Sequence, residues 1–238
     1  MKTLTSFLIV FLALCTQLVA QKFEGTVTMT NSLYEGLVTV FHIQGDKAAM
    51  FTQASGATSA SKTIIDRVTG EYQVVNMTSG QPQVVNYNLA DPQFALHPSQ
   101  NTSAEVNPTG ETKVIDGFTC EKVLVNKGGS SAELWVATQL ANLDITSFMI
   151  PSNLRREGRF LHVEGVNGFP LEIQGTDIRS GKPFVIKNKV SIGKVDGEKL
   201  AIPAGATIIE MTSLKKEVED ANGDSEKLKQ IKQNLDQN

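Results

Sequence analysis

Cysteine is almost missing from this 238-residue chain, which has two, Cys15 and Cys120. That excludes the disulfide framework that staples many small exported domains, and a cysteine-rich zinc site with it. Histidine is as sparse: His42, His97 and His162 stand apart, and none has another histidine two or four positions on. No metal-ligand spacing results, so neither a metal nor a cofactor is expected. Tryptophan occurs once, at Trp135, and tyrosine three times. An excess of positive charge is also lacking. The formal net charge is −3, and the densest basic pairs, Arg155-Arg156 and Lys215-Lys216, have acidic neighbours. Nucleic acid needs a basic stripe to neutralise phosphates, so it is not an expected partner.

Catalytic signatures are missing too. The nearest approach to a phosphate loop is Gly175–Pro183, "GTDIRSGKP", where the spacing is wrong and Pro183 stands in place of Ser or Thr. No G-x-S-x-G nucleophile elbow occurs. A hydrolase assembled from residues far apart in sequence would leave no such trace. The residues give no positive ground for an enzyme, and the expectation is a non-enzymatic protein.

What the chain does have begins with an export signal. Lys2 supplies a positive start, Phe7 to Leu14 form an unbroken apolar run, and Ala20 offers a small residue for cleavage. The run is short for a bilayer span, and no later segment is longer. Residues 1–20 are therefore expected to leave as a signal peptide, with the mature protein periplasmic or secreted and without a transmembrane segment. Lipid anchoring at Cys15 is disfavoured because Leu14, before it, is large. Once Cys15 goes, Cys120 stands alone and cannot form an internal disulfide.

Period-two alternation then dominates. In "KFEGTVTMT", Phe23, Gly25, Val27 and Met29 share one face. In "KPFVIKNKVSIGKV", Phe184, Ile186, Val190 and Ile192 do the same. Short strands are expected at "GLVTVFHIQ", "KAAMFTQ", around Thr69-Gly70, and at "QVVNYNL", "AELWVA", "RFLHVEG" and "FPLEIQ". Asp91 to Pro108 reads as a proline-bearing loop with a helical turn near Phe94–Leu96. Thr138 to Arg156 breaks the alternation, and one or two helices are expected there, capped by Thr138 and ended or restarted by Pro151. The sum is a mainly β protein with about 10 or 11 strands in antiparallel sheet. Residues 21–211 are read as one domain and 212–238 as a polar tail. In the tail, Leu228, Ile231 and Leu235 mark one face of a helix that packs or stays loose.

"GETKVIDGFTCEKVLV" reads as a hairpin turning at Asp116-Gly117. Phe118, Cys120 and Leu124 alternate with Thr119, Glu121, Val123 and Val125, but Lys122 interrupts, so neither face is assigned to the core. Free cysteine is among the most buried residue types. Cys120 is read as structural packing in preference to a redox group or nucleophile.

Together, "FEGTVTM", "GETKVIDGFTCEKVLV", "AELWVA", "GFPLEIQG" and "IPAGATI" resemble the DUF4412 family of exported bacterial proteins. The resemblance covers roughly Phe23 to Glu210, and Gly117, Phe118 and Cys120 match its G-[FY]-x-C pattern. That family is similar in architecture to LolA-like lipoprotein carriers. The resemblance implies a strongly curved antiparallel sheet, an incomplete barrel, with short helices closing its open side. It also implies a concave apolar site for a lipid or acyl chain. Candidate lining residues are Phe41, Trp135, Phe148, Met149 and Phe184, each with plain core packing as the competing role. A second reading is an envelope protein that binds a protein partner through its surface or the tail.

Overall fold

A computed structural model describes residues 22–54, 61–76, 81–88, 104–149, 158–177, 180–211, 216, 218, 220–221 and 224–230. The expected signal segment, Cys15, His97, the turn near Phe94–Leu96, Pro151 and the last residues of the tail lie outside them. The chain builds one open, curved sheet of 12 strands that does not close into a barrel. Its strands are β1 (Glu24–Asn31), β2 (Leu37–Gln44), β3 (Lys47–Ala54), β4 (Ser61–Asp66), β5 (Glu71–Asn76), β6 (Gln83–Asn88), β7 (Ala104–Ile115), β8 (Phe118–Lys127), β9 (Ser130–Ala137), β10 (Phe169–Thr176), β11 (Pro183–Ile192) and β12 (Thr207–Glu210). Their spatial order is β12-β6-β5-β4-β3-β2-β1-β11-β10-β9-β8-β7. Strands consecutive in sequence lie side by side except β6 and β7, and β11 and β12; the β1–β11 and β6–β12 pairings join strands distant in sequence.

The alternation expected of β1 is present: Gly25, Val27 and Met29 are buried. Register carries that face across the sheet. Val27 opposes Val190 on β11 and Phe41 on β2, Phe41 opposes Met50, and Ile186 opposes Ile173, which opposes Leu134. Residues directly opposite share a face, so these side chains form one concave apolar surface. The described residues of the connection from β9 to β10, 138–149 and 158–168, lie over it. Leu140, Leu143, Ile145, Phe148, Phe160, Leu161 and Val163 of that connection join the concave side chains in one buried cluster.

A smaller cluster occupies the outer face of the β3–β6 half. Ala49, Ile64, Val75 and Val84 are covered there by Val195 and Leu200 from the segment after β11. Lys62 is buried beneath the same segment. Its ammonium donates to Ala201 O at 2.5 Å and sits over the Phe51 ring.

Several expectations need correction. Residues 104–108, read as loop, begin the longest strand. Pro108 is tolerated because β7 is an edge strand and bulges between Pro108 and Thr112. "RFLHVEG" is not a strand: a 3-10 turn at Gly158–Phe160 leads into irregular chain, and Phe160, Leu161 and Val163 are all buried as cover residues. Of the stretch from Thr138 to Arg156 where helices are expected, the described residues form single 3-10 turns, Thr138–Leu140 and Thr146–Phe148, and the first is preceded by Ala137 with no side-chain cap from Thr138; the rest lies outside the described residues. The sheet has more strands than expected because "IPAGATI" leads into β12, which pairs parallel to β6. Ile192, assigned to the core face, is the last residue of β11 and is 64% exposed. In the tail, residues 225–230 are helical.

Candidate apolar site under the 138–168 connection

Of the five candidate lining residues, Phe41, Trp135, Phe148 and Phe184 are buried members of one apolar cluster, and Met149 packs against it partly buried. Phe41 is fully buried on β2, between Val27 and Met50. Phe184 on β11 lies opposite Gly175, whose missing side chain leaves room for the ring. Phe148 belongs to the cover. The Arg67 guanidinium sits 4.5 Å from its ring centroid, and Arg67 also donates to Ser147 Oγ at 2.8 Å and pairs with Asp46 at 2.8 Å. This arginine, from the β4–β5 turn, ties one part of the cover to the rim of the sheet. A second polar tie is Arg159 Nη1 to Ser130 Oγ, 2.8 Å, at the β8–β9 turn.

Trp135 is placed differently. It is buried within the apolar cluster, but its cross-strand neighbours are Lys122 and Glu172, so by alternation it stands on the face opposite Leu134. Lys113 sits 4.2 Å from its ring centroid, its Nε1 donates to Glu133, and Glu133 pairs with Lys122 at 3.0 Å. Lys113 also pairs with Glu172 at 3.2 Å. Burial pushes the Glu172 carboxyl up, but hydrogen bonds from Gln174 and Lys113 outweigh that and hold it below its usual value. Trp135 thus anchors a charged outer surface. A shallow open depression of about 300 Å³ beside it is lined by Asn107, Leu124, Asn126, Ser131, Glu133 and Gln174.

The hairpin that carries Cys120 turns as expected: Asp116 and Gly117 have φ of 47° and 85°. Both being positive, the turn is the primed kind that suits strand twist. Cys120 and Val123 are both buried although they point to opposite faces, so β8 has no single core side. Cys120 is fully buried, its thiol contacts Phe118 O at 3.6 Å, and burial raises its pKa. A thiol of that kind has little thiolate with which to react.

Sequence reading missed one residue on the concave face. Asn188 occupies the slot between Ile186 and Val190, opposite Met29, and is 2% exposed. Its Nδ2 donates to Pro170 O at 2.8 Å, beside the β10 bulge, and its Oδ1 has no partner. The signal was visible: an amide in the apolar parity of "FVIKNKVSI". Other concave polar groups are engaged. Thr39 pairs with Thr52, and Asn31 Oδ1 accepts from Leu33 N. Thr63 hydrogen-bonds the Tyr72 hydroxyl, whose pKa burial pushes up.

Among the described residues no group of three or more His, Cys, Asp or Glu could hold a metal, and no helix is long and apolar enough to cross a membrane. A family model, "Domain of unknown function (DUF4412)", matches residues 23–206. The chain belongs to the DUF4412 family. Nothing among curated proteins matches it. Among solved structures, this DUF4412 chain is similar to PNGF-II in two space groups, P21 and C2. The first is 17% identical with a TM-score of 0.40, the second 16% with 0.38; 82% and 81% of this chain are covered. It spans about a third of PNGF-II, 33% and 32% of those chains. It is also similar to a LolA superfamily protein from Nitrosomonas europaea, at 12% identity and TM-score 0.29, covering 77% of this chain and 91% of that one.

Proposed function

We propose that the protein is an exported, non-enzymatic binder that holds an apolar chain, such as a lipid acyl group, against the concave face of the sheet. The observation that carries this reading is the nature of the cover. In its described residues the 138–168 connection has single 3-10 turns and no longer helix or strand. It meets the sheet chiefly through apolar side chains such as Leu140, Ile145, Phe148 and Leu161. A contact of that kind is non-directional and scales with apolar area. An acyl chain offers the same contact at about 0.8 kcal/mol per buried methylene. It can therefore exchange with cover side chains without breaking a hydrogen-bond ladder.

Native mass spectrometry of protein purified gently from its own host tests this. A co-purifying mass that organic extraction identifies as lipid is the expected result. A clean apo mass, together with failure of the protein to take up a fluorescent fatty acid, would overturn it.

A further inference from the structure

We infer that the ligand of the concave site carries an uncharged hydrogen-bond-donating head, a hydroxyl or a protonated carboxyl, that docks on Asn188 Oδ1. This rests on the apolar-ligand reading and adds the chemistry of the head group. The orientation of the amide is decided by its other partner. Pro170 O can only accept, so Nδ2 must face it, and the carbonyl oxygen turns the other way. That oxygen is buried and has no partner. A carbonyl left in that state has lost its water and gained no bond in return. Among the described residues only one other buried side-chain oxygen shares the condition, Asn86 Oδ1. By register Asn86 opposes Gln73 and so lies on the outer face, away from Tyr72 and Tyr87.

The neighbours of Asn188 define what the head can be. Ile186 and Val190 flank it on its own strand, and Met29 lies opposite. All three are buried and apolar. The cations of β11, Lys187 and Lys189, alternate to the outer face and so cannot balance a charge inside. An ionised phosphate, sulfate or quaternary amine brought there would lose its hydration without compensation. A neutral donor satisfies the oxygen and leaves the alkyl chain to the concave side chains. The site therefore selects long-chain alcohols and protonated acids over phospholipid or detergent head groups.

The test compares three probes of equal chain length by displacement of a fluorescent fatty acid: 1-dodecanol, methyl dodecyl ether and dodecyl sulfate. The ether keeps the oxygen and removes the donor. Wild-type protein is expected to prefer the alcohol over the ether by about tenfold, as one recovered hydrogen bond implies. In Asn188→Leu the two probes should compete equally, with thermal unfolding run alongside to show that the variant folds. Equal competition by alcohol and ether in the wild type would overturn the head-group inference even if the variant does not fold. So would retention of the preference in a folded Asn188→Leu, or stronger competition by dodecyl sulfate. Failure of all three probes and of the fluorescent fatty acid would instead sink the apolar-ligand reading itself.

Discussion

The Phe184 ring lies over Gly175, its partner across β10 and β11, so closely that a Cβ on Gly175 would stand 2.8 Å from Phe184 Cζ and 3.1 Å from Ser131 O. The ring fills the space that a side chain at 175 would take. Gly175→Ala should therefore push Phe184 out of its place in the concave core. Overpacking of this sort costs about 1–3 kcal/mol. The urea midpoint should fall with an unchanged slope. An unaltered midpoint would mean that the ring moves without cost.

Cys120 is predicted to label slowly with a thiol reagent in the native protein and quickly in urea. Burial removes access and raises the pKa together. The raised value also has a sign for stability. Its contribution is complete below the ordinary thiol value and is lost as pH rises toward the folded one, because the unfolded chain ionises first. Rapid labelling under native conditions would show an open site.

His42 should make the protein acid-sensitive in a window above the carboxylates. Burial lowers its pKa below 6.5, with Lys199 and Lys62 adding to the effect. The unfolded chain takes up the proton first, so stability present above that value is lost as pH falls through the depressed one. Unfolding free energy measured between about pH 7.5 and 5.5, around the ordinary histidine value, should decline more in the wild type than in His42→Gln. Parallel curves would assign the decline elsewhere.

Arg67 should control the cover more than the fold. Its ring contact with Phe148 and its bonds to Ser147 and Asp46 lie at the rim. Arg67→Ala is expected to cost less than about 1 kcal/mol globally, as exposed pairs do. Amide exchange at residues 144–149 and uptake of a fluorescent fatty acid should both quicken. If exchange there is unchanged, the arginine does not hold the cover.

Much of this architecture is written locally. The strands of the sheet announce themselves by alternation, as at Val27 and Met29 or Phe184 and Ile186, because the pleat puts every second residue on one face. The Asp116-Gly117 turn is equally plain, because its backbone angles suit few residue types. Period two also determined that most of the sheet would be built of hairpins, whereas the β1–β11, β6–β12 and β9–β10 pairings join segments far apart in sequence and were settled only in the fold. The tertiary structure alone decided which face is which where pattern and burial part. Trp135 in "AELWVA" is buried as its type suggests, yet Lys122 and Glu172, brought from β8 and β10, set it on the opposite face from Leu134 with Glu133 of its own strand. Phe160, Leu161 and Val163 resemble a strand, yet they are buried by contact with a sheet whose curvature no local pattern encodes. Asn188 is the sharpest instance. The sequence by itself places an amide in an apolar parity. Only the bulge at Pro170, a carbonyl from another strand, fixes its nitrogen and leaves its oxygen facing the core. Alternation depends on neighbouring residues in the chain; the hydrogen bonds that give a buried amide its role depend on strands that meet only in the folded protein.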